Sequence, residues 1–273
     1  MATNTTVLRD ELTGPIAWRE AGDPDAPVAV FLHGLGGHRS NWDPQLRTLS
    51  SLRRCAAWDV PGYGDSAGRP GPLPELAATA AGWIRQLTDR PVDVVGLSFG
   101  GMIAQHLALD HPGLVRSLAL LDTSPAFGLD GVTTREDWLA TRVDPLRRAD
   151  MPAEQAAAVV AGLVGPGCSD EVRAVMIESM RSVPGPSLAA ACEALVEHDT
   201  RARLGQIAAP TLVLVGEHDT ETPPSYARAI AERIPGARLG IVPGAGHLAN
   251  LEAPDEVDRA LSEHWRSVAG GTR

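Results

Sequence analysis

The sequence predicts an α/β architecture: a mainly parallel sheet of eight strands flanked by helices, interrupted once by an all-helical insertion. Two observations carry that expectation. Short apolar runs alternate with helical stretches along most of the chain, as parallel strands require, because each must return through a crossover on a sheet face. Between about residues 124 and 204 the alternation stops and only helical segments remain. A chain of 273 residues with 44% hydrophobic content has the size for one large core.

The elements follow in order. Residues 5–8 and 16–20 read as a hairpin at one edge of the sheet. The unbroken apolar run Val28–Leu32 suits a strand buried on both faces, and 56–60, 92–95, 118–121 and 211–215 repeat it. A last run, Arg238–Val242, is weakened by Gly240. Helices are expected over 41–50, 73–88, Phe99–Asp110, 224–234 and 254–268. The apolar residues of Phe99–Asp110 spread around much of its surface, as in a helix packed near the sheet centre, and His111-Pro112 ends it. Within the insertion, helices at 136–146, 153–164, 170–181 and 187–197 are separated by Gly165-Pro166-Gly167 and Pro184-Gly185-Pro186. The expected division is a core of residues 1–123 and 205–273 with a cap of 124–204. About 190 residues then build the sheet and its helices, and about 80 form a lid.

Composition narrows the function. Twenty-four Lys and Arg against 34 Asp and Glu give a formal charge of -10, a balance that argues against nucleic-acid binding. An anionic small molecule stays compatible, since one well-placed Arg suffices to hold it. No apolar stretch approaches the roughly 18 to 20 residues that cross a bilayer. The start of the chain does not read as a signal peptide, so a cytoplasmic location is expected. Cys55, Cys168 and Cys192 lie far apart without CxxC spacing, which suggests neither disulfides nor zinc. Gly62-x-Gly64-x-x-Ala67 resembles a dinucleotide fingerprint but leads into Gly68-Arg69-Pro70-Gly71-Pro72, where no helix can start. No cofactor and no metal are expected. Oligomeric state is not legible.

The chemistry-bearing pattern is Gly96-Leu97-Ser98-Phe99-Gly100, directly after one strand and opening a helix. A nucleophilic Ser at such an elbow sits in a strained backbone, and small residues two positions either side let strand and helix approach. A serine hydroxyl needs a base, and the base an orienting acid. Asp219, after the strand 211–215, and His247, in the Gly-rich loop after Arg238–Val242, supply both from the carboxyl ends of their own strands. Asp219 could also be a helix cap ahead of Pro223-Pro224. Asp122, at the end of the run 118–121, is a rival acid, and the choice stays open at this point. After Val28–Leu32 comes His33-Gly34-Leu35-Gly36-Gly37, a small-residue loop that can point backbone N–H groups into a cleft. The N–H groups of Leu35 and Phe99 are the expected oxyanion donors, and His33 is expected to serve structure.

On these motifs, together with Asp59-Val60-Pro61-Gly62-Tyr63-Gly64-Asp65-Ser66, the chain resembles the α/β-hydrolase fold superfamily over nearly its whole length. Asn41-Trp42-Asp43-Pro44-Gln45, Gly101-Met102-Ile103-Ala104-Gln105 and Pro243-Gly244-Ala245-Gly246-His247 are similar to 3-oxoadipate enol-lactonases. Gly34 and Phe99 depart from that narrower pattern, where Ser and Met are usual, and both border the oxyanion loop. The resemblance implies a helical cap after the sixth strand. Trp138, Leu139, Met176 and Met180 are candidates to line its pocket, and Arg135, Arg142, Arg147 and Arg148 to anchor a substrate carboxylate. The implied activity is cofactor-independent serine hydrolysis of a small-molecule ester or lactone, an enol-lactone of a small dicarboxylic acid foremost. The alternatives are a carbon-carbon bond hydrolase of ring-cleavage diketones and a hydrolase-fold binding protein with little turnover.

Overall fold

A computed structural model describes residues 6–270; Thr5 of the expected first strand lies outside the described residues. Eight strands form one sheet: β1 (Arg9–Thr13), β2 (Ile16–Ala21), β3 (Val28–Leu32), β4 (Arg54–Trp58), β5 (Val92–Leu97), β6 (Val115–Leu121), β7 (Thr211–Gly216) and β8 (Arg238–Val242). Their spatial order is β1-β2-β4-β3-β5-β6-β7-β8. The pairings β1·β2 and β2·β4 are antiparallel, and every other pairing is parallel.

The first strand is Arg9–Thr13 rather than 5–8. Its sequence, Arg-Asp-Glu-Leu-Thr, is mostly exposed, so an edge strand facing water carries no apolar signal. The strand expected at 56–60 runs instead from Arg54 to Trp58, and beyond it the Asp59 carboxylate accepts the backbone N–H of Arg39 at 2.7 Å.

Alternating side chains divide the core. Val28, Val30 and Leu32 join one apolar layer with helices α2 (Leu73–Leu87) and α3 (Phe99–Asp110). Ala29 and Phe31 join the other with α1 (Asp43–Leu49) and, after the short α9 (Pro224–Ala231) and α10 (Ala249–Glu252), with α11 (Pro254–Gly270). Because β3, β5 and β7 are buried throughout, both faces need apolar residues, and the strands read as continuous hydrophobic runs.

The insertion between β6 and β7 is helical. It holds α4 (Arg135–Trp138), a π turn (Leu139–Val143), α5 (Asp144–Leu146), α6 (Ala153–Leu163), α7 (Asp170–Ser182) and α8 (Gly185–Val196). The segment expected as one helix over 136–146 is therefore helical throughout, from Arg135 to Leu146, but widens into the π turn at its middle. Pro145 cannot donate to a preceding turn and sits at the start of α5, where no donor is needed. A single bridge, Ala126 to Asp199, closes the neck, supported by Phe127 N–H donating to the His198 carbonyl at 2.9 Å. Leu146, Leu188 and Ala191 bury into one core layer, Val160 and Met176 into the other, so the inserted helices share the apolar interior of the sheet. Among the described residues no helix is long and apolar enough to cross a membrane.

Candidate active site

The site is built at the carboxyl ends of the parallel strands. β5 runs straight into Ser98, whose backbone sits at φ 53, ψ -118, and α3 starts at the next residue. The turn is that tight because its flanks are glycine: a β-carbon on Gly96 would overlap the Gly100 carbonyl, and one on Gly100 would overlap the Leu32 carbonyl. Ser98 Oγ lies 2.9 Å from His247 Nε2, and His247 Nδ1 lies 2.9 Å from Asp219 Oδ2. All three side chains are buried. His247 Nδ1 faces a carboxylate and therefore carries a proton.

Asp219 fastens the turn that follows it and meets His247; it does not cap the next helix, whose N-cap is Pro223 without a side-chain bond. Asp219 Oδ1 accepts the backbone N–H groups of Glu221 and Thr222, each at 2.9 Å, while Oδ2 takes the Thr222 hydroxyl at 2.8 Å and the imidazole. Burial opposes the carboxylate charge, yet His247 and the Thr222 donors outweigh it and lower the Asp219 pKa. Burial likewise opposes a charge on His247, but the Asp219 carboxylate overrides it, helped by Asp122 and Glu221, and lifts the imidazole to about 9.

Asp122 does not reach the imidazole. Its Oδ1 accepts Gly216 N–H at 2.8 Å and its Oδ2 accepts Ala249 N–H at 3.2 Å, tying the end of β7 to the turn after His247. Burial, reinforced by Asp219, pushes its carboxyl well above the usual range.

The loop after β3 lies directly against the elbow, so close that a β-carbon on Gly34 would sit 3.3 Å from Ser98 Cβ. His33 fixes this loop. Its Nε2 accepts Val60 N–H at 3.1 Å, which leaves the proton on Nδ1 to donate to the Gly34 carbonyl at 2.9 Å. Full burial drives its pKa down to about 4, keeping it neutral. Leu35 faces the cavity, and the Phe99 side chain is fully buried with its N–H in the first turn of α3.

Above Ser98 lies a cavity of about 450 Å³ whose floor is Gly34, Ser98 and His247 and whose roof comes from the insertion. Trp138, Met176 and Met180 line it, as does Arg142, whose guanidinium stands 5.3 Å over the Trp138 ring. Among the described residues Arg142 has no carboxylate partner. The other cap arginines do not line the cavity: Arg135 is ion-paired with Glu197, and Arg147 bridges Asp144 and Glu193. Arg135 is thus excluded as a pocket residue, because its charge is already neutralised on the outer surface. Leu139 packs into the core instead. Gln155, Thr141 and Glu221 are polar residues that also line the cavity, and no motif or spacing marks them. Among the described residues no group of three or more His, Cys, Asp or Glu could hold a metal ion.

A family model of alpha/beta hydrolases matches residues 29–260, from β3 into the last helix. The chain belongs to the alpha/beta hydrolase family. Among curated relatives of this hydrolase, a pimeloyl-[acyl-carrier protein] methyl ester esterase of Chromobacterium violaceum is 33% identical over 247 residues, 89% of this chain and 96% of that one. An esterase of Thermogutta terrifontis superposes with a TM-score of 0.84 at 27% identity, covering 96% of this chain and 98% of that one. The enol-lactonase of Burkholderia xenovorans superposes with a TM-score of 0.82 at 25% identity, covering 94% and 100%.

Proposed function

We propose that this chain is a serine hydrolase that cleaves a carboxylic ester or lactone through an acyl-enzyme on Ser98. The observation that carries the reading is the unbroken relay Ser98 Oγ, His247 Nε2, His247 Nδ1, Asp219 Oδ2, with both contacts at 2.9 Å and opening onto one cavity. Ser98 Oγ adds to the carbonyl carbon as its proton passes to His247 Nε2. The carbonyl oxygen takes the negative charge and is held by the N–H groups of Leu35 and Phe99. His247 then returns the proton to the departing alkoxide as the carbon–oxygen bond breaks. Water attacks the acyl-enzyme with His247 again as base, the acid leaves, and Ser98 recovers its proton. No cofactor is required. Asp219 keeps Nδ1 protonated and stabilises the imidazolium that forms in each half.

The substrate is further proposed to be an ester or lactone whose acid portion carries a second carboxylate, of which an enol-lactone of a small dicarboxylic acid is one example. Arg142 supports this: it is the cavity's one arginine, and it is free of a protein carboxylate among the described residues. The test pairs a fluorophosphonate probe with a substrate screen. The expected adduct maps to Ser98, and wild type hydrolyses monoesters or lactones of dicarboxylic acids where Ser98→Ala does not. Arg142→Met should raise KM for carboxylate-bearing esters about tenfold and leave p-nitrophenyl acetate unchanged. Absence of both adduct and ester hydrolysis would sink the proposal, and turnover confined to ring-cleavage diketones in the same screen would make the chain a carbon-carbon bond hydrolase.

A further inference from the structure

The backbone around His247 is held from outside its own loop. His247 N–H donates to the carbonyl of Leu163, at the end of α6, at 2.7 Å. The N–H groups on either side, Gly246 and Leu248, both donate to Glu252 Oε1 at 3.1 Å. The other oxygen of that carboxylate, Oε2, accepts Gly165 N–H at 2.7 Å. One half-buried carboxylate therefore gathers three backbone donors, two from the His247 loop and one from the helical insertion. No slack separates the two segments. A β-carbon on Gly246 would overlap the backbone nitrogen of Gly165, and one on Gly165 would come within 2.5 Å of the Gly244 carbonyl and 2.8 Å of the Gly246 nitrogen.

We infer that Glu252 is a positioning residue that couples the seating of the helical insertion to the placement of the His247 imidazole. The inference rests on the reading of His247 as the base. Three consecutive N–H groups, 246 to 248, find their acceptors in Glu252 and Leu163, so a shift of the α6–α7 connection is passed to His247 through its own main chain. The segment 163–165 then belongs to the catalytic frame, whereas Trp138 and Arg142, farther along the roof, contact the substrate. An unseated insertion would withdraw the imidazole from Ser98 as well as open the pocket.

Two variants test this by different routes. Glu252→Gln keeps the volume but offers one acceptor oxygen, and its amide NH2 opposes a backbone N–H. Gly165→Ala leaves the carboxylate intact and wedges the insertion off the His247 loop. The substrate is p-nitrophenyl acetate, whose acyl group is too short to need the Trp138–Arg142 arm; the second readout is the rate of fluorophosphonate labelling. For both variants, with the fold checked by circular dichroism, kcat and the labelling rate should fall about 10- to 100-fold while KM stays within about twofold. Long incubation should still label every Ser98. If Glu252→Gln fails to fold, Glu252→Asp, which retains the charge but draws it back, takes its place. Folded variants with unchanged kcat on the acetate ester, or a loss in KM alone for larger esters, would overturn the inference. A wild type without turnover or labelling would instead bring down the functional reading itself.

Discussion

Ser98 and Asp122 end neighbouring strands and are the two non-glycine residues, among those described, with positive φ, at 53° and 45°. The same ladder holds both. Ser98 N–H donates to the Leu121 carbonyl at 2.9 Å, and Asp122 N–H donates to the Leu214 carbonyl at 3.0 Å. Each strand thus continues one residue into left-handed backbone, which aims the Ser98 hydroxyl into the cavity and the Asp122 carboxyl sideways beneath the His247 loop. Strain of this kind survives only where the surroundings fix it.

Replacing Ser98 separates strain from chemistry. Ser98→Ala should lower turnover roughly 10⁴- to 10⁶-fold with the fold intact. Ser98→Gly should abolish turnover equally while relieving the backbone, raising the melting temperature by about 2–4 °C. A thermal melt of the two variants side by side checks this. An unchanged or lower melting temperature for glycine would mean that the turn stores no strain.

The two carboxylates should fail differently. Asp219→Asn is expected to reduce kcat by about 10⁴-fold with little change in KM, because the amide inverts the preference for a protonated Nδ1. Asp122→Asn keeps one acceptor but turns an NH2 group toward a backbone N–H. It should cost about 1–3 kcal/mol of stability and far less activity. Urea titration and steady-state kinetics on both proteins separate these outcomes, and equal kinetic losses would count against the assigned roles.

The pH profile carries a sign that can be worked out in advance. A base must be neutral, so activity falls as pH drops through the His247 pKa. That pKa is raised above 6.5, toward about 9, by Asp219 against the opposing effect of burial. Asp122 contributes to the rise only when charged, and its own carboxyl is pushed upward, so the acid limb of kcat/KM should lie between 6.5 and about 9. In Asp219→Asn the residual activity should show a limb shifted toward lower pH, since burial is then the larger influence. An acid limb below 6.5 in wild type would contradict the electrostatics of the site.

Two of the other buried histidines, His33 and His198, contribute to the loss of stability in acid. Burial drives both His33 and His198 down to about 4, below their unfolded value of 6.5. In that window the unfolded chain binds protons that the folded chain refuses, so stability is lost as pH falls from 6.5 toward 4. His198 Nε2 donates to the Ser124 carbonyl at 2.9 Å, a bond that a Gln amide can reproduce without titrating. His198→Gln should therefore flatten the decline of melting temperature between pH 7 and pH 4.5. A slope as steep as that of wild type would mean His198 does not contribute.

Much of the site was legible because its chemistry imposes local rules. A nucleophile elbow needs small residues at 96 and 100, and buried parallel strands need apolar runs that mark where each loop begins. The apolar runs alone therefore align the strand ends on one rim. What stayed hidden was decided by partners distant in sequence. Arg135 and Arg142 lie about two helical turns apart on similar polar ground, and only the presence of Glu197 beside Arg135 separates them. Asp122 and Asp219 both follow strands, and which one meets His247 depends on how the loops after β7 and β8 fold over. Glu252 gives no sign of its three donors, because two of them flank His247 and the third belongs to an insertion 87 residues earlier. The polar edge strand β1 escaped for the opposite reason: a strand open to water needs no apolar pattern.

The reach of the chain across the site sets when activity can first exist. Ser98 and His247 are 149 residues apart, and the pair meets only once β7 and β8 have been added to the sheet. Contacts of such sequence separation form late, since loop closure precedes any return from pairing. A chain ending at β6 would carry the Ser98 elbow without Asp219 or His247 and should show no hydrolysis. Regain of esterase activity during refolding would then time the docking of the final strands rather than the earlier collapse of the core.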